Sequence, residues 1–403
     1  TVWGQTLTGG SQQAFPVLNG DKVYQTTPCT AGYSNTAQQT LDHNYTEDGV
    51  CSRCGEWQEA KQAADGYYEI HNQGQLRWFA DQVNNNGRTD INARLTASFA
   101  MDGTEWTPIG EYFAGKRFTG TFDGDGHTIS GLTCTKPDAD HVGLVGYAVG
   151  ATIQNVTVQK SSFNGDTYIG SVCGYIVGGK ITGCTNSDTV NVRGNNYLGG
   201  IAAHADSTTV QRCFNSGTVT GNYPTGGIVG FANNATVQDC GNTGAVKSPN
   251  GNEYCGGIAG STNNTSSIQN CYNAYRTIVH PICASPSQET TLLNCYYLAD
   301  NPGTDPSAKT EAQFNSGEVA YLLQNGERTD TTTTVWGQTL TGGSQQAFPV
   351  LSGDKVYQTT PCTAGYSNTD GTYKAHTPGT DGKCIDCKQL CISYTVTIPA
   401  TVT

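Results

Sequence analysis

Four residues near the start of the chain have the types and spacing of a metal site. Cys29, His43, Cys51 and Cys54 form a C-x13-H-x7-C-x2-C pattern, and the same spacing returns at Cys362, His376, Cys384 and Cys387. Residues 37–57 and 370–390 otherwise diverge sharply, yet both C-x-x-C pairs, His43/His376, Asp48/Asp381 and Gly49/Gly382 are retained. Three thiolates and one imidazole make a closed tetrahedral set for a structural zinc ion. A small loop-rich module with little core needs a staple of this kind. A disulfide from Cys29 to Cys51 or Cys54, with His43 incidental, uses the same residues, and free thiols are the third alternative. Redox chemistry at C-x-x-C needs a helix N-terminus to activate the thiol, and the pattern offers none. Cys391 has no counterpart in the first copy.

Other constellations are weaker. The metalloprotease helix, the nucleophile elbow and the phosphate loop are all missing from the sequence. A solenoid carbohydrate-active enzyme would need acids gathered on one face, but the sparse charges between 160 and 247 do not fall into one column. Asp123, Asp125 and His127 suggest a calcium loop that lacks its later ligands, so a turn before a strand is the expectation. His204 and Asp206 read as solvated turn residues. The stronger binding signal is aromatic. Tyr168, Tyr197 and Tyr254 head successive repeats, with His141 and Pro224 in the equivalent slots. Such a column could stack on sugar rings or anchor a protein partner. Alternatively, each ring packs on its neighbour along the stack.

The elements that position these residues follow from a short repeat. Hydrophobic-glycine runs at 141–146, 168–174, 197–203, 225–230 and 254–260 end on Gly146, Gly174, Ala203, Gly230 and Gly260. The steps between these markers are 28, 29, 27 and 30 residues, a period that belongs to solenoids. Cys184, Cys213, Cys240, Cys271 and Cys295 recur at one place in successive coils, and Val156 holds that slot in the first coil. Valine there argues for a core-facing column of buried thiols acting as small hydrophobes. Cys173 and Cys255 are expected in the core as well. An irregular coil closes the array at 281–300.

Before the coils, residues 67–85 read as a strand turning into a helix, with Leu76, Phe79, Ala80 and Val83 on one face. Strands are expected at 93–101, 106–110 and 117–132, with Phe118, Phe122, Ile129 and Leu132 inward and 123–126 as a bend. After the coils, 311–327 reads as one capping helix, with Val319, Ala320, Leu322 and Leu323 apolar and Gly326 as its C-terminal glycine. Caps of this kind cover the open ends of a solenoid.

A longer repeat frames everything. Residues 1–36 recur at 334–369, an offset of 333, with one difference, Asn19 against Ser352. Segments 14–18 and 22–26 of this module read as short strands around an Asn-Gly-Asp turn. The expected organisation is a Trp/hairpin module at 1–36 that ends a preceding unit, and a small Cys/His module at 37–65. A solenoid with its N-terminal cap helix follows at 66–300, then a linker and cap helix at 301–333. The second Trp/hairpin module is 334–369, the second Cys/His module 370–391, and 392–403 starts a further strand domain. The chain reads as a piece of a larger protein. Its net charge of −12, with charged residues only 13% and 51 glycines, argues against nucleic-acid or anionic-membrane partners. No apolar run reaches the roughly 18 residues of a membrane span, so direct insertion is not expected.

The runs HVGLVG, TGGIVG and YCGGIAG, preceded by FTGTFDGDGHTISGL and followed by NCYY, resemble the GLUG-motif repeats of bacterial surface proteins. The match covers about residues 67–300 and the helix at 316–326. Similar repeats occur in adhesin-like proteins and in N-terminal regions of immunoglobulin A peptidases. The resemblance implies an all-β, right-handed parallel β-solenoid (β-helix) with short capping helices and Cys-rich flanks, on a bacterial cell surface. It supplies no catalytic residues, because the peptidases' zinc-binding helix motif is missing. The function it implies is non-catalytic binding of a host ligand, either a protein such as an immunoglobulin or a glycan. A structural spacer is the alternative, and a carbohydrate-active enzyme the third.

Overall fold

The computed structural model describes residues 3–7, 15–25, 29, 33–35, 43–112, 115–187, 190–276, 279–326, 332–342, 344–359, 365–370, 379–380 and 383–384. The body is a parallel β-solenoid, as the short period implies. A ten-stranded sheet runs along it, and sheets of nine, six, five and four strands form the other faces of the coils. Register is strict from coil to coil. Ile153 pairs with Ile181, Ile181 with Val210, Val210 with Val237 and Val237 with Ile268. All five are fully buried. Each column of the core is therefore one repeat position, and burying each such side chain stabilises the stack by about 1.5–3 kcal/mol.

Coils turn where the backbone enters the left-handed region. The residue before the Val/Cys slot has φ of 54° at Asn155, 65° at Gly183, 52° at Arg212, 55° at Asp239, 51° at Asn270 and 51° at Asn294. Asn, Asp and Gly tolerate that conformation best, which accounts for their frequency at this corner. Inside the coil, glycine answers to space. A Cβ at Gly199 would meet the carbonyl oxygen of Ala202 at 1.9 Å, so the tight inner bend of the hydrophobic-glycine run excludes any side chain.

The N-terminal cap forms as expected. Strand Tyr67–Ile70 leads into helix α1, Gln73–Asn84. Asn72 caps α1 by accepting from the Gln75 N–H at 3.0 Å. Leu76, Phe79, Ala80 and Val83 close the end of the core, and Phe118, Phe122, Ile129 and Leu132 are all fully buried. Residues 106–110, expected as a strand, contribute only a bridge from Ile109 to Val145; Pro108 has no N–H for a ladder. Among the described residues, no helix is long and apolar enough to cross a membrane.

The C-terminal cap differs from expectation. It is two helices, α2 at Glu311–Asn315 and α3 at Glu318–Asn325. The break falls at Gly317, whose φ of 89° no helix accommodates. Val319, Ala320 and Leu323 are buried, but Leu322 is only half-buried. Gly326 follows α3 with φ of −66°, so it is not a left-handed cap. In the Trp module the expected hairpin is also replaced. Trp3–Gly4 pairs with Val17–Leu18, and Tyr24–Gln25 pairs with Tyr33–Ser34. The Asn-Gly-Asp segment thus joins strands that have other partners, although Asn19 does take a turn conformation at φ 56°.

Candidate functional site

The Cys/His cluster assembles from one short turn and two more distant residues. Cys51 and Cys54 lie on a tight turn closed by the Gly55 N–H donating to the Cys51 carbonyl at 2.9 Å. His43 Nδ1 lies 3.0 Å from Cys29 Sγ and 3.4 Å from Cys54 Sγ, and Cys29 Sγ lies 3.5 Å from Cys51 Sγ. The four ligand atoms all fall within 4.8 Å of one another. A disulfide holds its sulfurs at about 2.05 Å, whereas the edge of a tetrahedral thiolate site is about 3.8 Å for metal–sulfur bonds of about 2.3 Å. The observed spacing could hold a metal ion.

The electrostatics separate the two thiols. Burial opposes ionisation of Cys51, but the N–H groups of Arg53 and Cys54 and the His43 ring outweigh it and bring that thiol down to about 5. Burial and the facing Cys51 and Cys54 push Cys29 up to about 12. A central cation would relieve that repulsion. The other ring nitrogen, Nε2, faces Glu56 Oε2 at 3.2 Å, the carboxylate–imidazole arrangement that orients a metal-ligating histidine. Sequence reading missed Glu56. Gly49 also gains a reason for its retention. With φ of 73°, its added Cβ would sit 2.1 Å from Asn72 Oδ1, and its neighbour Asp48 accepts from the Gly74 N–H at 2.8 Å. The module is thereby seated on the start of α1. Of the second set, Cys384 is buried, while Cys362, His376 and Cys387, like Cys391, lie outside the described residues.

The aromatic residues form more than the three positions expected. Tyr112, His141, Tyr168 and Tyr197 stack in one file, with centroids 4.8, 4.8 and 4.9 Å apart. A second file, Tyr147, Tyr175, His204 and Phe231, runs beside it on paired strands. Its spacings are 5.5, 4.2 and 5.0 Å. His141, Tyr168 and Tyr197 have φ of 57°, 63° and 54°, a conformation costing about 1–2 kcal/mol at a residue with a Cβ. Packing of the rings offsets that cost. The first file stops at Pro224, because proline cannot take positive φ. Tyr254 accordingly stands apart. It pairs edge-on with Tyr223, centroids 4.6 Å apart, and both are exposed. Tyr168 and Tyr197 are brought together, half-buried, and Tyr254 is not with them.

His204 corrects its sequence reading. It is not a solvated turn residue but lies within the second file, and burial brings its pKa down to about 4, against the opposing pull of Asp206. Burial likewise lowers His141 and raises Tyr175 to about 12. His204 is therefore uncharged near neutrality, and Tyr175 keeps its proton. Asp123 behaves as the turn reading expects. It accepts from the Asp125 N–H, Gln154 Nε2 and Asn155 Nδ2 at 2.9, 2.6 and 3.2 Å.

At the Tyr112 end the first file opens on a cavity of about 520 Å³. The exposed Tyr112 ring gives it an aromatic wall, backed by the buried Trp106 and His141, and Glu105, Lys136 and Asp140 give it a polar rim. Trp106 is held by its Nε1–H donating to the Gly143 carbonyl at 3.0 Å. Glu105 accepts from the Thr135 N–H and hydroxyl, each at 2.8 Å, and Asp140 from the Thr167 N–H at 3.1 Å. These contacts fix both carboxylates in place and leave them lone pairs for a ligand. Sequence reading found His141 only as a slot-holder and missed Trp106 and Tyr112.

The cysteine column is core. Cys184, Cys213, Cys240, Cys271 and Cys295 are buried, as are Cys173 and Cys255. Cys213, Cys240 and Cys271 donate to the carbonyl two residues back at 3.2, 3.2 and 3.1 Å. Two residues further along each coil lies a column the sequence reading missed. Asn186, Asn215, Asn242 and Asn273 are fully buried, and the first three each donate an Nδ2–H to the next Oδ1, at 2.6, 2.7 and 2.8 Å.

No family model matches the chain. Halomucin of Haloquadratum walsbyi is 34% identical over 145 residues, which is 34% of this chain and 2% of halomucin. The chain thus spans a small fraction of that relative's length. Two solved structures align with much of the chain. One, from Bacteroides ovatus and assigned as an immunoglobulin A1 protease, has a TM-score of 0.47 at 16% identity over 77% of this chain and 98% of its own. The other, an IgA1 protease, has a TM-score of 0.42 at 17% identity over 69% of this chain and 22% of its own. At these values neither likeness carries a function to this chain.

Proposed function

We propose that this chain is a non-catalytic segment of a bacterial surface protein that binds a host glycan at the Trp106–Tyr112–His141 cleft. The observation that supports this reading is the cleft itself. The half-exposed Tyr112 ring beside fixed carboxylates suits a pyranose, which presents an apolar C–H face and a rim of hydroxyls. Concave sites with aromatic walls and a few placed polar groups are the common form of small-ligand sites. The Cys/His cluster serves as a structural zinc site in this reading, holding the N-terminal module against α1.

The test is a titration of the chain with host-type oligosaccharides and, in parallel, with immunoglobulin. Saturable glycan binding that falls at least tenfold in Tyr112→Ala supports the reading. Immunoglobulin binding unaffected by Tyr112→Ala would move the site elsewhere. A second reading, a structural spacer, is favoured by one observation. Tyr168 and Tyr197 spend their faces on each other and on their neighbours. No saturable binding of either ligand class would leave the spacer as the function.

A further inference from the structure

The two copies of the Trp module fold alike and differ in what covers them. In each, Trp pairs with Leu across a short antiparallel ladder, Trp3 with Leu18 and Trp336 with Leu351. An asparagine Oδ1 accepts from a backbone N–H, Asn35 from Leu7 at 2.7 Å and Asn368 from Leu340 at 2.8 Å. A threonine hydroxyl donates to an aspartate, Thr6 to Asp21 at 2.7 Å and Thr339 to Asp354 at 2.8 Å. Only the surroundings change. Trp336 is 0% exposed, while Trp3 is 61%, Phe15 78% and Leu18 64% exposed. Their counterparts Phe348 and Leu351 pack, with Trp336, against the C-terminal end of the solenoid.

That end is a built receptor. Trp336 meets Tyr272 at 5.3 Å between ring centroids, and its Nε1–H donates to the Asn270 carbonyl at 3.1 Å. Gln324 Oε1 on α3 accepts from the Val335 and Trp336 N–H groups at 2.8 and 3.0 Å. Tyr272 donates its hydroxyl hydrogen to the Pro349 carbonyl at 2.7 Å, and Gln338 Nε2 donates to the Phe314 carbonyl at 2.9 Å. Every module residue in these contacts has an identical counterpart in the first copy, because the lone difference is Asn19 against Ser352.

We propose that the exposed Trp3, Phe15 and Leu18 face is a docking surface for the C-terminal end of another copy of this solenoid, seated on its Tyr272, Phe314 and Gln324. Units would then join rigidly, solenoid end to module, each module gripping the coil stack before it and, through its Cys/His neighbour, the cap helix of the next. Such a joint fixes the angle between successive solenoids instead of leaving a tether. The proposal does not depend on what the aromatic cleft binds.

In the unmodified chain the receptor is already filled by 334–369 at high effective concentration, so light scattering should report a monomer. Trp336→Ala empties it, and the first module of a second molecule can then dock. The expected result is head-to-tail association whose mass rises with concentration. Adding Trp3→Ala should return the protein to a monomer. Phe348→Ala with Leu351→Ala removes the same docking by different side chains, so a folding defect in one variant does not decide the outcome. Circular dichroism reports that the solenoid is intact. Folded, monomeric Trp336→Ala and Phe348→Ala/Leu351→Ala variants at all concentrations would overturn the proposal. Association that survives Trp3→Ala would overturn it as well.

Discussion

His204 lies flat on Tyr175, ring centroids 4.2 Å apart and planes 4° apart. Neither of its ring nitrogens has a hydrogen-bond partner. A protonated imidazolium there would be largely desolvated, which outweighs the pull of Asp206 and is why the folded pKa falls to about 4 from an ordinary value of about 6.5. The unfolded chain therefore binds a proton that the folded chain refuses. Stability contributed by this group is full above about pH 6.5 and is lost as the pH falls toward 4. The loss is on the order of 3 kcal/mol across that window. His204→Phe, matching Phe231 one coil on, should flatten this part of the pH profile. Urea midpoints of the two proteins between pH 7 and 4 measure it, and an unchanged difference across the window would remove His204 from the account.

The buried asparagine column makes a second expectation. Asn215 accepts from Asn186 and donates to Asn242 and to the Gly217 carbonyl, so Asn215→Leu removes all three bonds, although Asn242 Oδ1 keeps the Gly244 N–H at 3.2 Å. A buried group left without its partner costs about 1–3 kcal/mol, so the loss of the Asn186 acceptor sets a destabilisation of at least that order. Cys213→Val, two residues away, should cost less than about 1.5 kcal/mol, because it is a near-isosteric apolar swap and Val156 already occupies that slot in the first coil. Equal losses in the two variants would mean that the column is not a polar ladder under load.

What was legible in the sequence was whatever repeats with the coil. Period, core columns and the cysteine file all follow from spacing, since every coil must present the same side chain to the same place. The asparagine column has the same period but is polar, and a polar residue next to a turn reads as solvent-facing until its partners are seen. The cleft escaped for a different reason. Trp106 and Tyr112 sit before the regular coils, so no repeat marks them, and stacking alone joins Tyr112 to His141. Tyr254 failed to join the file because one proline, Pro224, denies the backbone conformation that the file needs. Gly317 divided a helix for a comparable local reason.

The Cys/His cluster gives the last prediction. The retained spacing in the second copy implies a second site at Cys362, His376, Cys384 and Cys387, so metal analysis of the purified chain should find two zinc ions per molecule. Cys51→Ser should leave one, and Cys384→Ser should leave the other. Because the thiolates must be deprotonated to bind, zinc should be released in acid, and removal should loosen the module from α1. Hydrogen exchange at the Gly74 amide, which donates to Asp48, reports that loosening directly. Glu56→Gln should weaken zinc affinity at the first site about 10–100-fold without changing its stoichiometry at saturation, the effect expected of a group that orients His43 from outside the ligand set. If the metal-free protein instead shows Cys29 covalently bridged to Cys51 or Cys54, with no zinc taken up after reduction, the cluster is a disulfide and the zinc assignment fails.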